Sequence, residues 1–227
     1  AYRSTNKTPL LNSDFSVNSY LSPLASDILN LTHTEIKEFE TMTCVMNPCN
    51  DNDDSDSEIN AMSLSTVGVD GFPKSRVVLL KEYNKDGFIF YTNYNSEKGI
   101  SIDKNNKVCL SFFWEQHERQ VIIKGFAKKL SNSKSIEYFN SRPRGSKLGA
   151  IVSNQSSVIE SKSELVDKLH KLDKKYSKIE ITKPSHWGGY IVSTVEFEFW
   201  QGGENRLHDR ARFKLHNKNW IKDRLSP

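Results

Sequence analysis

Short runs rich in β-branched and aromatic residues constrain the fold more than any other feature of this sequence. They cover residues 61–69, 75–81, 88–92, 108–114 and 120–127. Glycine, asparagine and aspartate separate several of these runs, so successive runs lie at the spacing of hairpins. The pattern predicts an antiparallel β-sheet or barrel.

Helical segments interrupt and follow these strands. Residues 96–104 predict a short helix, and residues 133–142 predict a second helix that Pro143 ends. A capping-box pattern at residues 161–164 predicts the start of a third helix. One face of that helix is apolar and is expected to pack on the core, through Leu165, Leu169, Leu172 and Tyr176.

The C-terminal part returns to β structure. Residues 189–200 alternate in polarity, and this predicts a strand whose inward residues are Ile191, Val195, Phe197 and Phe199. Residues 211–215 and 220–224 predict a final pair of strands.

The first 60 residues differ in character. Residues up to about 25 predict an extended arm, much of 24–46 a helix, and the acidic stretch 50–58 a disordered loop. We therefore predict an N-terminal segment over residues 1–60 and a β domain with helical insertions over residues 61–227.

Composition excludes several classes of protein. A chain of 227 residues with 36% hydrophobic residues can bury one sizeable core, and a formal charge of +4 allows anionic ligands without requiring nucleic acid. Cys44, Cys49 and Cys109 lack the spacing of a metal site, and Cys109 is expected to be a core thiol. No apolar stretch predicts a membrane span, so we expect a cytoplasmic protein, with import through a removed N-terminal peptide left open.

A basic cluster lies near the C-terminus, within residues 199–210. If the chain is extended there, Arg206, His208 and Arg210 point to one face, and their mutual repulsion favours a bound anion. A solvated basic edge explains the cluster equally well.

A second candidate site lies at residues 138–147. Tyr138 and Arg142 are one helical turn apart, Gly145 allows a sharp turn, and Ser146 adds a hydroxyl. These groups suit a phosphate, although arginines at a helix C-terminus also interact favourably with the helix dipole.

Other signals are weaker. Residues 76–81 predict a buried strand with Arg76 and Lys81 at its ends, while Gln120, Gln155 and Ser156 are polar positions without a defined role. Nucleophile-elbow, zinc-protease, Walker and dinucleotide-binding motifs are absent. A cofactor would therefore be held by side chains of strands and loops.

Together these segments resemble the pyridoxine/pyridoxamine 5′-phosphate oxidase family. They occur in the family's order from about residue 60 to the C-terminus, and they are residues 75–81 (SRVVLLK), 90–93 (FYTN), 112–114 (FFW), 119–121 (RQV), 138–146 (YFNSRPRGS), 155–156 (QS), 187–189 (WGG), 196–202 (EFEFWQG) and 206–210 (RLHDR). The ordered set is specific, whereas each piece alone is not.

The resemblance implies a mainly β (α+β) fold, a split antiparallel β-barrel with flanking helices that binds FMN in a homodimer. It implies a flavoprotein oxidoreductase of vitamin B6 metabolism, oxidising pyridoxamine or pyridoxine 5′-phosphate to pyridoxal 5′-phosphate with oxygen and releasing hydrogen peroxide. It implies no metal, nucleic acid or membrane partner.

Matching positions imply the residues of the site. Implied FMN contacts are Arg76, Val77, Val78, Leu79, Leu80, Lys81, Tyr91, Thr92, Lys98, Gln120, Gln155, Ser156, Trp200 and Arg210. Implied substrate contacts are Lys81, Tyr138, Arg142, Ser146, Arg206, Leu207 and His208, of which Arg206 and His208 are the implied catalytic residues.

The chain also departs from the family's pattern. Glu97 stands where the family usually has an arginine, so a contact to the cofactor phosphate is expected to be lost. Residues 2–5 lack the family's Arg-x-x-Tyr, and residues 50–58 resemble an insertion. Two alternatives stay open, namely a split-barrel flavoprotein with another substrate and a non-enzymatic barrel that binds pyridoxal phosphate or RNA.

Overall fold

The computed structural model describes residues 60–227, which form nine strands and four helices. In chain order they are β1 (Ala61–Val67), β2 (Pro73–Leu79), β3 (Glu82–Asn84), β4 (Gly87–Asn93), α1 (Glu97–Lys104), β5 (Lys107–Trp114), β6 (Arg119–Lys129), α2 (Asn132–Ser141), α3 (Arg144–Val152), α4 (Lys162–Lys175), β7 (Trp187–Gln201), β8 (Asp209–His216) and β9 (Asn219–Arg224). This confirms the predicted mainly β class and the predicted strand runs. The arm, helix, acidic loop and first two cysteines predicted before residue 60 lie outside the described residues.

Within this range the chain forms two compact units. The larger contains residues 61–113 and 122–195, and the smaller contains residues 114–121 and 196–227. The boundary predicted at residue 60 does not correspond to the division between these two units, and it stays a prediction.

The larger unit is built on an antiparallel sheet with the strand order β2-β1-β5-β6-β7-β4-β3. Every second residue of β1 is buried, as expected for a strand with one face on the core. The centre of the core consists of completely buried apolar side chains, namely Leu64, Ile89, Phe90, Leu110, Ile123 and Val192. A neighbouring cluster joins the helices to β7 through Phe139, Leu148, Ile181 and Trp187.

Helices α1 and α4 begin where the sequence predicts. The Ser96 hydroxyl accepts from the Gly99 N–H, and the Ser161 hydroxyl accepts from the Glu164 N–H, so each serine caps its helix. Leu169, Leu172 and Tyr176 of α4 pack against the cluster around Phe139, which confirms the predicted apolar face.

The smaller unit holds the C-terminal strands. Residues 196–201 of β7 pair with β8, and β8 pairs with β9. Its core is aromatic, with Phe199 edge-on to Phe213 at 5.9 Å and Phe197 5.4 Å from Trp220 between ring centroids.

Three predictions about the strands and their connections were wrong. Strand β2 is largely exposed, with Val77 69% accessible, rather than buried. Gly145 lies inside helix α3, which was not predicted, rather than in a sharp turn. Cys109 is only half-buried.

The inward residues of β7 were also partly mispredicted. Phe197 and Phe199 are buried, but Ile191 is half-buried while its neighbours Tyr190 and Val192 are buried. Even-numbered residues point inward around Tyr190 and Val192, and odd-numbered residues point inward around Phe197 and Phe199. The change occurs because the first half of the strand contributes to the core of the larger unit and the second half to that of the smaller.

Gly99 permits α1 to approach the preceding loop. A methyl group there would lie 2.1 Å from the carbonyl oxygen of Tyr94, which is backbone and cannot rotate away. We expect Gly99→Ala to lower stability by about 1–3 kcal/mol, as overpacking does. Chemical denaturation measures this, and Gly145→Ala is the control because a methyl group there meets nothing within 4 Å.

Candidate functional site

A pocket of about 770 Å³ lies in the larger unit. Most of the predicted site residues line it, which are Arg76, Val77, Val78, Leu79, Lys81, Tyr91, Thr92, Lys98, Tyr138, Arg142, Ser146, Gln155 and Ser156. Its volume suits a ligand of cofactor size.

Strand β2 brings Arg76 to this pocket. Its Nη1 donates to the Leu64 carbonyl oxygen at 3.1 Å and to the Thr66 hydroxyl at 2.8 Å, so neighbouring β1 fixes the guanidinium. Burial lowers the pKa of Arg76, and the nearby Glu97 carboxylate partly offsets this. Arg76 stays protonated at any physiological pH.

Helix α1 brings Lys98 to the same pocket. Lys98 is only 8% exposed, and its Nζ donates to the Gln155 Oε1 at 3.1 Å and to the Ser96 hydroxyl at 3.3 Å. The Thr92 hydroxyl also donates to the Gln155 Oε1, at 3.3 Å. Burial first, and then the charge of Arg76, lower the pKa of Lys98.

An aromatic stack forms another wall. The Tyr91 and Tyr138 rings are stacked with centroids 3.9 Å apart, and Trp187 lies 5.5 Å from Tyr91. Strand β7 leaves room for Tyr91 at Gly189 and for the neighbouring Tyr94 at Gly188, because a methyl group on either glycine would collide with the corresponding ring. Burial, followed by the charge of Glu82, raises the pKa of Tyr91 to about 12, so its hydroxyl stays neutral.

Arg142 rests on this stack. It is the C-cap residue of α2, and its guanidinium carbon lies 4.6 Å from the Trp187 ring centroid. Its Nη1 is buried and has no hydrogen-bond partner. A buried donor of this kind is normally satisfied by a ligand or water, so Arg142 fits an anionic group in the pocket.

The basic residues of the pocket are mostly without counter-charges. Among residues 60–227, Arg76, Lys98 and Arg142 form no ion pair. Lys74, which also lines the pocket, pairs with Glu97 at 2.6 Å. The pocket therefore carries an excess of positive charge, and this suits phosphate groups. Burial lowers the pKa of Arg142, an expected cost of placing an unpaired cation there.

Predicted site residues of the smaller unit, and Leu80, do not line this pocket. Leu80 belongs to the larger unit and is buried. The predicted site residues in the smaller unit are Gln120, Trp200, Arg206, Leu207, His208 and Arg210. Within the smaller unit, the Trp200 and His208 rings lie 4.8 Å apart, and the His208 Nδ1 accepts from the Gly203 N–H at 3.2 Å.

The condition under which Arg206, His208 and Arg210 would share one face, an extended chain over residues 206–210, is not met. Residues Glu204–Arg206 form a 3-10 turn, Arg206 has φ +64°, and β8 begins only at Asp209. Arg210 pairs with Glu198 at 2.5 Å, so repulsion within this cluster is not an argument for a bound anion. The sequence pattern suggested otherwise because Glu198 approaches Arg210 only through the pairing of β7 with β8.

Several pocket residues were missed by sequence reasoning. Lys74, Asn93 and Trp187 all line the pocket. Trp187 belongs to a segment that carried the resemblance, and this was the available signal for it. Asn93 likewise belongs to the matching segment 90–93, whereas Lys74 had no such signal, because polar residues on strands are ordinarily solvated.

Comparisons with known proteins agree with this geometry. Residues 56–176 match the family described as Pyridoxamine 5′-phosphate oxidase, and residues 187–227 match the Pyridoxine 5′-phosphate oxidase C-terminal dimerisation region. The pyridoxine/pyridoxamine 5′-phosphate oxidase of Flavobacterium johnsoniae is 58% identical over 74% of this chain and 79% of its own length. That of Leptospira biflexa is 50% identical over 77% and 82%.

Solved structures share the fold. PhzG of Burkholderia lata, solved with tetrahydrophenazine-1-carboxylic acid, has a TM-score of 0.70 and 26% identity over 74% of this chain and 82% of its own. A pyridoxamine 5′-phosphate oxidase-related, FMN binding protein of Nostoc punctiforme has a TM-score of 0.62 and 13% identity over 74% and 88%, which concerns the fold alone. The predicted fold class is thus confirmed.

No helix among residues 60–227 has the length and apolar character needed to cross a membrane.

The relatives, the family matches and the pocket with its unpaired cations all indicate the same family. The chain belongs to the pyridoxine/pyridoxamine 5′-phosphate oxidase family.

Proposed function

We propose that this protein oxidises pyridoxamine and pyridoxine 5′-phosphate to pyridoxal 5′-phosphate with FMN as cofactor and oxygen as acceptor. The observation that carries the proposal is the pocket in which Arg76, Lys98 and Arg142 meet without carboxylate partners. Two phosphorylated ligands, cofactor and substrate, match this excess of positive charge. The relatives named for this activity support the same assignment.

The cofactor phosphate is assigned to the end of the pocket formed by α1. There Lys98 and Arg76 supply charge, and Thr92, Gln155 and Ser156 supply polar groups. The exposed side of β2 and the segment after it, from Val77 to Lys81, flank the flavin. When bound, FMN would supply the acceptor for a hydride from C4′ of the substrate, and oxygen would take up the electrons and become hydrogen peroxide; with pyridoxamine 5′-phosphate, water would then hydrolyse the resulting imine to the aldehyde and ammonia.

The substrate phosphate is assigned to the aromatic wall. Arg142 donates to it from the face of Trp187, and Tyr138, Ser146 and Lys81 complete its contacts. Holding the phosphate there fixes the reacting carbon of the substrate, which is how positioning accelerates a reaction.

Residues of the matched dimerisation region have proposed roles in a homodimer. Arg206 and His208 face the substrate ring, with Leu207 beside them, whereas Trp200 and Arg210, together with Gln120, serve the flavin. Positive charge near the polar edge of the flavin favours its reduced anion. Light scattering of the holoprotein checks the mass, and a monomer would contradict the dimer.

The test is the visible spectrum of the protein loaded with FMN. Without oxygen, pyridoxamine 5′-phosphate should bleach the flavin band, and air should restore it. An FMN-bound protein that neither vitamer bleaches would favour a flavoprotein with another substrate. A protein that takes up no FMN would favour the non-enzymatic alternative.

The same assay examines the dimerisation region. Arg206→Ala should slow anaerobic bleaching at least about tenfold, since it removes a contact to the reacting ring. Arg212→Ala is the matched control because Arg212 pairs with Asp223 on the neighbouring strand. Equal rates in the wild type and Arg206→Ala would remove the role assigned to Arg206.

A further inference from the structure

Glu97 is an unexpected group in a pocket for phosphates. Among the described residues that line the pocket, it is the only carboxylate. Glu97 interacts electrostatically with two of the pocket cations, because its charge raises the pKa of both Arg76 and Lys98. Its backbone N–H donates to the Ser156 hydroxyl at 3.2 Å, which ties Glu97 to another pocket residue.

Lys74 compensates for this carboxylate. Its Nζ donates to both oxygens of Glu97, at 2.7 and 2.6 Å, and Lys74 itself lines the pocket. The partners are 23 positions apart in sequence, so the fold rather than local chain geometry brings them together. Both side chains are about half exposed, and pairs of that kind contribute little to stability.

A dipole effect explains the presence of Glu97 but not its pairing. Glu97 occupies the first turn of α1, where a negative charge is favourable whether or not a lysine is near. Lys74, however, is placed in the pocket wall by strand β2, and its amine contacts Glu97. Without Lys74, the carboxylate would face any bound phosphate as an uncompensated like charge.

We propose that Lys74 and Glu97 act as a specificity pair at the cofactor-phosphate end of the pocket. Lys74 neutralises Glu97, and the affinity for a phosphorylated flavin depends on that neutralisation. This inference rests on the proposed function, because it takes FMN as the ligand.

The test compares FMN with riboflavin, which lacks the phosphate. Lys74→Met should weaken FMN binding, measured by quenching of flavin fluorescence, about tenfold at low salt. Riboflavin binding should stay within about twofold of wild type. Glu97→Gln in the Lys74→Met background should restore most of the FMN affinity, because it removes the uncompensated charge. Raising the salt concentration should narrow the difference between the variants.

Controls separate the possible failures. Lys168→Met breaks another exposed pair, with Glu164 on α4, outside the pocket, and should leave FMN affinity unchanged. Unchanged FMN affinity in Lys74→Met, or an equal loss for riboflavin, would overturn the specificity pair while leaving the proposed function intact. A wild-type protein that binds no FMN would overturn the proposed function, and the pair with it.

Discussion

Replacing Arg142 with methionine should lower kcat/KM for pyridoxine 5′-phosphate by about a hundredfold or more. Arg142 presents a buried Nη1 without a partner, and no carboxylate among residues 60–227 pairs with the guanidinium. A charge-assisted hydrogen bond to phosphate at such a site contributes roughly 2–3 kcal/mol or more. Steady-state kinetics with saturating FMN measures this loss.

The matched control for this experiment is Arg144→Met. Arg144 lies two residues further along the chain, but its guanidinium pairs with Asp173 on the surface at 2.7 Å. We expect kcat/KM for Arg144→Met within about threefold of wild type. FMN affinity should be nearly unchanged in both variants, and a comparable loss of activity in both would contradict a specific role for Arg142.

Replacing Lys98 with methionine should weaken FMN binding by about a hundredfold without destabilising the protein that lacks FMN. Lys98 is buried, and its amine has hydroxyl and amide partners rather than a carboxylate. A buried charge of this kind has a large effect on an anion nearby, because little water screens it. Equilibrium dialysis or fluorescence quenching measures the affinity.

The stability of the Lys98 variant follows from the direction of its pKa shift. Burial lowers the pKa of Lys98 in the folded protein, so the charged amine opposes folding; this penalty is full below the folded pKa, falls as pH rises above it and disappears only above the unfolded pKa. Lys98→Met should therefore unfold at the same or a higher temperature than wild type when FMN is absent. A large drop in melting temperature would indicate a structural role. Lys129→Met, which breaks a surface pair with Asp103, is the control for affinity.

The sequence was sufficient for the strands and for part of the site. A β-rich run marked β1, and the one-turn spacing of Tyr138 and Arg142 placed both at the pocket. These features depend on neighbours in the chain, so local patterns contain them. Helix α3 was missed because Pro143 was taken as a terminator, although it is the N-cap of the helix that follows.

Contacts between distant positions could not be predicted in the same way. The pairing of Lys74 with Glu97 requires both β2 and α1 to be in place, and the pairing of Arg210 with Glu198 requires the register of β7 and β8. Strand register depends on the whole sheet rather than on either strand alone. Arg210, which the sequence alone leaves without a partner, is therefore paired in the fold.

The two glycines after Trp187 have a consequence for how this pocket can diversify. Bare backbone at Gly188 and Gly189 lets Tyr94 and Tyr91 lie against β7, and any larger residue would push one of these rings out of place. Gly188 and Gly189 therefore cannot be replaced by even a slightly larger residue without moving a tyrosine ring. Ser146 and Ala150 line the pocket from α3, where a substitution can enlarge a small side chain in small steps. Changes in ligand preference among descendants of this sequence should accumulate on the helix and spare the strand.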